Sequence, residues 1–125
     1  MALDVAIADH GSEGRRVALT GRLDTETTPL LDACLAPILA APTVTTLVFD
    51  LAALEYISSA GIRALVKARK ALEGRGGRVL VAHVQPAVRK VFDIVRALPA
   101  TDIFRNDAEL DAYLDAMQRR ARREP

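Results

Sequence analysis

Residues Thr46-Leu47-Val48-Phe49-Asp50-Leu51 form a short, nearly continuous apolar run, and helical periodicity follows it. A run of that length, broken by a single acid, reads as a strand covered on both faces, which a parallel sheet flanked by helices provides. Arg78-Val79-Leu80-Val81-Ala82 predicts another buried strand. Between them the spacing predicts a helix over 61–73, with Ile62, Leu65, Val66, Arg69 and Leu72 inward and Gly74-Arg75-Gly76-Gly77 as its stop. Strands alternating with helices imply crossover connections and parallel neighbours.

The rest of the chain fits around that unit. Leu3, Val5 and Ile7 alternate with Asp4, Ala6 and Ala8, as in a half-buried edge strand. His10-Gly11-Ser12-Glu13-Gly14 reads as a turn, and Arg16–Gly21 as the second strand of a hairpin. A helix is predicted over 25–40, with Leu30, Leu31, Cys34, Leu35, Ile38 and Leu39 on one side, Thr28 as cap and Pro29 at the first position. Pro37 predicts a kink or an early end near Ala36.

Gln85-Pro86 opens a third helix carrying Val88, Val91, Phe92 and Val95, and Ile103-Phe104 reads as a very short last strand. Asn106-Asp107-Ala108-Glu109 has capping-box spacing and starts a helix with Leu110, Tyr113, Leu114 and Met117 inward. Arg119, Arg120, Arg122 and Arg123 read either as a solvated helix end that complements the dipole, or as a docking patch for an acidic partner or membrane surface. The expectation is one α/β domain over 1–125, with a core over 3–117 and an arginine-rich tail over 118–125. Its sheet is mixed, mostly parallel, of about four or five strands with helices packed on it.

Phe49, Tyr56, Phe92, Phe104 and Tyr113 are the only aromatics, so the core must be aliphatic and layered. A formal charge of +1 recruits no nucleic acid, and no basic stripe with stacking aromatics exists. Catalysis lacks material. His10 and His83 have no metal-ligand spacing, no Walker-type phosphate loop is present, and Cys34 reads as an inert core thiol. No enzyme activity, metal or cofactor is expected, and His83, at a strand end where loops of α/β folds often bind partners, reads as structural or as a partner contact. The single cysteine forbids an intramolecular disulfide. The alternating N-terminal stretch lacks a signal-peptide run, and no segment approaches the roughly 20 apolar residues that span a bilayer. A reduced, cytoplasmic setting is expected, without membrane insertion.

One segment stands out, running from Asp50 through Leu51-Ala52-Ala53-Leu54-Glu55-Tyr56-Ile57-Ser58-Ser59-Ala60-Gly61-Ile62-Arg63. It joins the central strand to a helix start, where N–H groups and the positive dipole end are unpaired. Ser59 suits the cap position, and Gly61 would let another chain or a phosphate approach. Two readings stay open: the serines only cap the helix, or Ser59 accepts a regulatory phosphate. A phosphate adds about −1.5 to −2 charges, which the helix start tolerates and a partner docked over the turn does not.

Three stretches together resemble the STAS domain family, specifically the bacterial anti-sigma-factor antagonists. They are Leu19-Thr20-Gly21-Arg22-Leu23-Asp24, Phe49 to Arg63, and Val81-Ala82-His83-Val84-Gln85-Pro86-Ala87-Val88-Arg89-Lys90-Val91-Phe92. The resemblance implies a partner-switching regulator of transcription. It binds an anti-sigma factor that is also a serine kinase, is released by phosphorylation at Ser59, and is restored by a phosphatase. The implied partner surface is Asp24 and Thr25 with Tyr56, Ile57, Ser58, Ser59, Ala60, Gly61, Ile62 and Arg63. Here Ser58 stands where the family has Asp, Ala60 where it has a second hydroxyl, and Arg63 where it has Gly. The alternative is a STAS accessory subunit of a lipid-transport ABC system, with Ser59 only a cap.

Overall fold

Strand pairing follows chain order in this computed structural model, which describes residues 3–89. The elements are β1 (Leu3–Asp9), β2 (Gly14–Leu23), α1 (Thr28–Ala40), β3 (Thr46–Ile57), α2 (Ser59–Glu73) and β4 (Arg78–Ala82). β1 runs antiparallel to β2, while β2–β3 and β3–β4 are parallel. This is the mixed, mostly parallel sheet of an α/β domain that the alternation of strands and helices requires.

Leu and Val dominate the core, as the shortage of aromatics dictates. Val17, Leu19 and Leu23 of β2 and Leu47, Phe49, Leu51, Leu54 and Ile57 of β3 form one cluster with the helices. α1 contributes Leu31, Leu35 and Ile38, and α2 contributes Ile62, Leu65, Ala68 and Leu72. Each fully buried Leu, Ile or Phe supplies about 1.5–3 kcal/mol of transfer free energy, so this cluster is the main force holding helices to sheet.

Several local expectations are corrected. α1 starts at Thr28, after a cap at Thr27, because residues 24–27 form a turn of their own. It runs through Pro37 to Ala40 instead of ending near Ala36. Pro37 and Ala33, whose carbonyl loses its helical donor, both lie on the exposed side, where water can replace the bond. Leu30 is exposed and Cys34 only half-buried, so the inner stripe of α1 is narrower than the apolar residues suggest. On α2, Arg69 points to solvent beside Glu73 at 3.9 Å, and Ala68 takes the inward place. β4 is not buried: Leu80 and Val81 are exposed on a strand that ends the sheet among the described residues.

Arg75, within the glycine-rich stop, donates to the carbonyls of Ala41 (2.7 Å), Val44 (3.3 Å) and Leu39. It thereby satisfies the C-terminal end of α1, which carries no basic residue in its last turn. Residues 86–89 are helical from Pro86 onward, as expected. The remainder of that helix, the strand at Ile103-Phe104, the helix from Asn106 and the arginine tail lie outside the described residues.

β3 runs to Ile57, well past the expected end at Leu51. It gains one residue on β2 at each of two irregularities. Pairing passes from Ala18↔Asp50 to Thr20↔Ala53, and from Gly21↔Leu54 to Arg22↔Tyr56. At the first, the Asp50 carboxylate accepts the Ala52 N–H at 3.0 Å and the Arg16 guanidinium at 2.6 Å, while the Gln85 amide donates to the Ala52 carbonyl at 2.7 Å. The Ala52 N–H, then Arg16, hold the Asp50 carboxyl below its ordinary range, against the opposing effect of burial.

Candidate functional site

The parallel strands β2 and β3 end side by side, and the segments that follow them build one rim. The Ser58 N–H donates to the Leu23 carbonyl at 2.9 Å, closing the corner between the strand ends. Loops beyond the carboxyl ends of parallel strands are where open α/β sheets commonly bind ligands and partners.

After β2 the chain turns on Asp24 and Thr27. One Asp24 carboxylate oxygen accepts the N–H groups of Glu26 (3.0 Å) and Thr27 (3.1 Å). The Thr27 hydroxyl donates to the Arg22 carbonyl at 2.9 Å and accepts the Asp24 N–H at 2.8 Å. Thr27 is therefore the residue before α1, but its side chain faces back into the turn and makes no cap bond to the helix. The expected cap at Thr28 is not formed. Thr25 and Glu26 stand exposed at the tip.

After β3 a single residue, Ser58, precedes α2. Its extended backbone and its hydroxyl, which accepts the Gly61 N–H at 3.3 Å, make it the N-cap. The expectation that Ser59 caps the helix is corrected by one position. The expectation of an accessible Ser59 is overturned as well: the residue is 1% exposed, and Ser58 is 3% exposed. β3 extends straight into α2, so both serines sit inside the strand–helix corner instead of on a loop.

Gly61 also differs from its expected role. A Cβ there would lie 2.7 Å from Ile57 Cγ1 and 2.9 Å from Leu23 Cγ. The space left by its missing side chain is filled by this chain's own β2 and β3, and not left open to a phosphate.

The structure thus brings Asp24 and Thr25 to the same end of the sheet as Tyr56 through Arg63. Ile57, Ser58, Ser59, Gly61 and Ile62 form its buried floor, Ala60 is half-buried, and Arg63 is exposed. Two rim residues were not singled out from sequence. Thr27 shapes the turn, and Arg22 lies with its guanidinium 4.1 Å from the centre of the Tyr56 ring. The strand alternation around Gly21-Arg22-Leu23, which turns Arg22 away from the core, was the available signal. Among the described residues, no group of three or more His, Cys, Asp or Glu could hold a metal ion. No helix among them is long and apolar enough to cross a membrane.

Comparison with known proteins agrees with this architecture. The STAS domain family model matches residues 10–110. The anti-sigma F factor antagonist of Lysinibacillus sphaericus is 29% identical over 76 residues, 61% of this chain and 65% of the relative. BtrV of Bordetella bronchiseptica is 43% identical over 47 residues, 38% of this chain and 40% of the relative. The chain therefore spans less than two thirds of the length of either relative.

Two solved structures share the fold at 23% identity. Unphosphorylated SpoIIAA, an anti-sigma factor antagonist, superposes with a TM-score of 0.64 over 73% of this chain and 83% of its own. An anti-sigma factor antagonist from Mycobacterium paratuberculosis gives 0.63 over 97% and 95%. With the family model covering most of its length and the sheet shared with these structures, the chain belongs to the STAS domain family.

Proposed function

We propose that this chain is an anti-sigma-factor antagonist: a cytoplasmic binding protein, not an enzyme, that engages an anti-sigma factor with serine-kinase activity and so frees a sigma factor for transcription. The observation that carries this reading is the shared rim, where the Asp24 turn and the β3–α2 corner form one continuous surface with Thr25, Glu26 and Arg63 exposed. Relatives named as antagonists support it.

In this reading the kinase places a phosphate on Ser59 and a phosphatase removes it. The added charge ends the complex by leaving a badly paired dianion in the interface. Because the hydroxyl is covered in the resting structure, transfer requires docking to lift the first turn of α2. The same burial favours a second reading, constitutive binding as an unphosphorylated accessory subunit of a lipid-transport ABC system, in which both serines only build the corner.

Incubation with the co-encoded serine kinase and ATP, followed by intact-mass measurement, separates the two. Addition of one phosphate, abolished in Ser59→Ala while binding persists, supports the switch. Unmodified protein that co-purifies with a transporter ATPase supports the second reading and sinks the first.

A further inference from the structure

The irregularity at the end of β3 changes what faces Arg22. Gly21 pairs with Leu54, so an uninterrupted ladder would set Glu55 opposite Arg22; the extra residue sets Tyr56 there instead. The Arg22 guanidinium lies over the Tyr56 ring at 4.1 Å, and the ring is itself buried. One edge of the guanidinium is held by Asp24, with Nε 3.8 Å from the carboxylate oxygen that the turn leaves unused. The Arg22 side chain is still 49% exposed, and none of the described residues accepts a hydrogen bond from its terminal nitrogens. A flat cation therefore rests on a ring with a carboxylate beside it, and half of its side chain stays exposed on the rim.

We propose that Arg22 is a specificity-determining anchor that receives a carboxylate side chain of the protein partner. The inference rests on the partner-binding reading above and adds the chemistry of what is bound. Arginine forks match carboxylates in a two-point geometry that lysine does not offer, and stacking removes part of the ordering cost of using them. Asp24 beside the fork favours a singly charged carboxylate over a phosphate dianion, because its own negative charge repels the second charge of the dianion. Arginine and tyrosine are among the residue types that most often dominate binding energy at interfaces.

The test uses the full chain and the purified co-encoded kinase in calorimetric titrations at about 50 and 300 mM salt, a range over which exposed charge pairs are progressively screened. Arg22→Gln is expected to weaken binding roughly tenfold or more, Arg22→Lys less, and Arg22→Glu most. An acid-to-arginine exchange at the matching site of the kinase is expected to restore binding to Arg22→Glu. Wild-type affinity in Arg22→Gln and Arg22→Glu overturns the proposal while leaving the antagonist reading intact. Failure of the wild-type chain to bind the kinase overturns both. Should Arg22→Gln not fold, Arg22→Lys decides: it keeps the charge but loses the fork, and undiminished binding refutes the anchor.

Discussion

The hydroxyl of Ser58 accepts the backbone N–H of Gly61 at 3.3 Å, so the cap of α2 and the residue that lets α2 approach the sheet are bonded to each other. Ser58→Ala removes the hydroxyl that accepts that N–H. Loss of about 1 kcal/mol is expected in urea unfolding, and an unchanged midpoint would show that the cap bond contributes nothing.

Gly61→Ala tests the close approach. Alanine is the better helix former by about 1 kcal/mol, yet its Cβ meets Ile57, Leu23 Cγ and the Leu23 carbonyl at 2.7, 2.9 and 3.0 Å. Net destabilisation of about 1–3 kcal/mol is expected from overpacking. A more stable Gly61→Ala protein would show that the corner is looser than described.

Ser59→Asp places a carboxylate where the side chain is 1% exposed. Burial of a charge at this position costs more than the helix dipole returns, so a loss of at least about 2 kcal/mol is expected. Faster amide exchange confined to the start of α2 is the accompanying signature, measured by hydrogen–deuterium exchange.

Arg75→Met keeps most of the aliphatic stem and removes the donors to Ala41, Val44 and Leu39. About 1–3 kcal/mol of stability is expected to be lost, because carbonyls at the end of α1 are left with fewer partners. Thermal unfolding reads the loss, and an unchanged midpoint would mean that water serves those carbonyls equally well.

Asp50 provides a dependence on pH. Its folded-state carboxyl lies below the ordinary 3.8, chiefly through the Ala52 N–H and then Arg16. A carboxyl depressed by folding adds stability above its unfolded value and loses it as pH falls through the folded one. Urea midpoints between about pH 2 and 6 should therefore fall more steeply on the acid side in the wild type than in Asp50→Asn. Equal slopes would assign the acid loss to other carboxylates.

The fold was legible because its signals are periodic. The apolar run from Thr46 and the glycines after Glu73 each mark one element without help from distant residues. The length of β3 was not legible. Ala52, Ala53 and Glu55 suggest a loop, whereas the strand absorbs them through two irregularities, the first secured by Asp50, Arg16 and Gln85, which lie far apart in sequence. The cap of α2 was misplaced by one residue because adjacent serines offer the same chemistry, and only the extended backbone at Ser58 separates them. The burial of Ser59 was not readable either, since it depends on β3 reaching as far as Ile57. Arg22 escaped notice because a strand arginine is ordinarily a solvated one; the ring beneath it becomes its neighbour only through the shifted pairing.

A connection of one residue has no slack. Where a long loop would let a contact at its tip dissipate, Ser58 joins the end of β3, paired there with β2, directly to a helix held by its own backbone. A contact that another molecule makes at this corner therefore acts at once on the first turn of α2 and the end of β3, so the junction couples the rim to both elements.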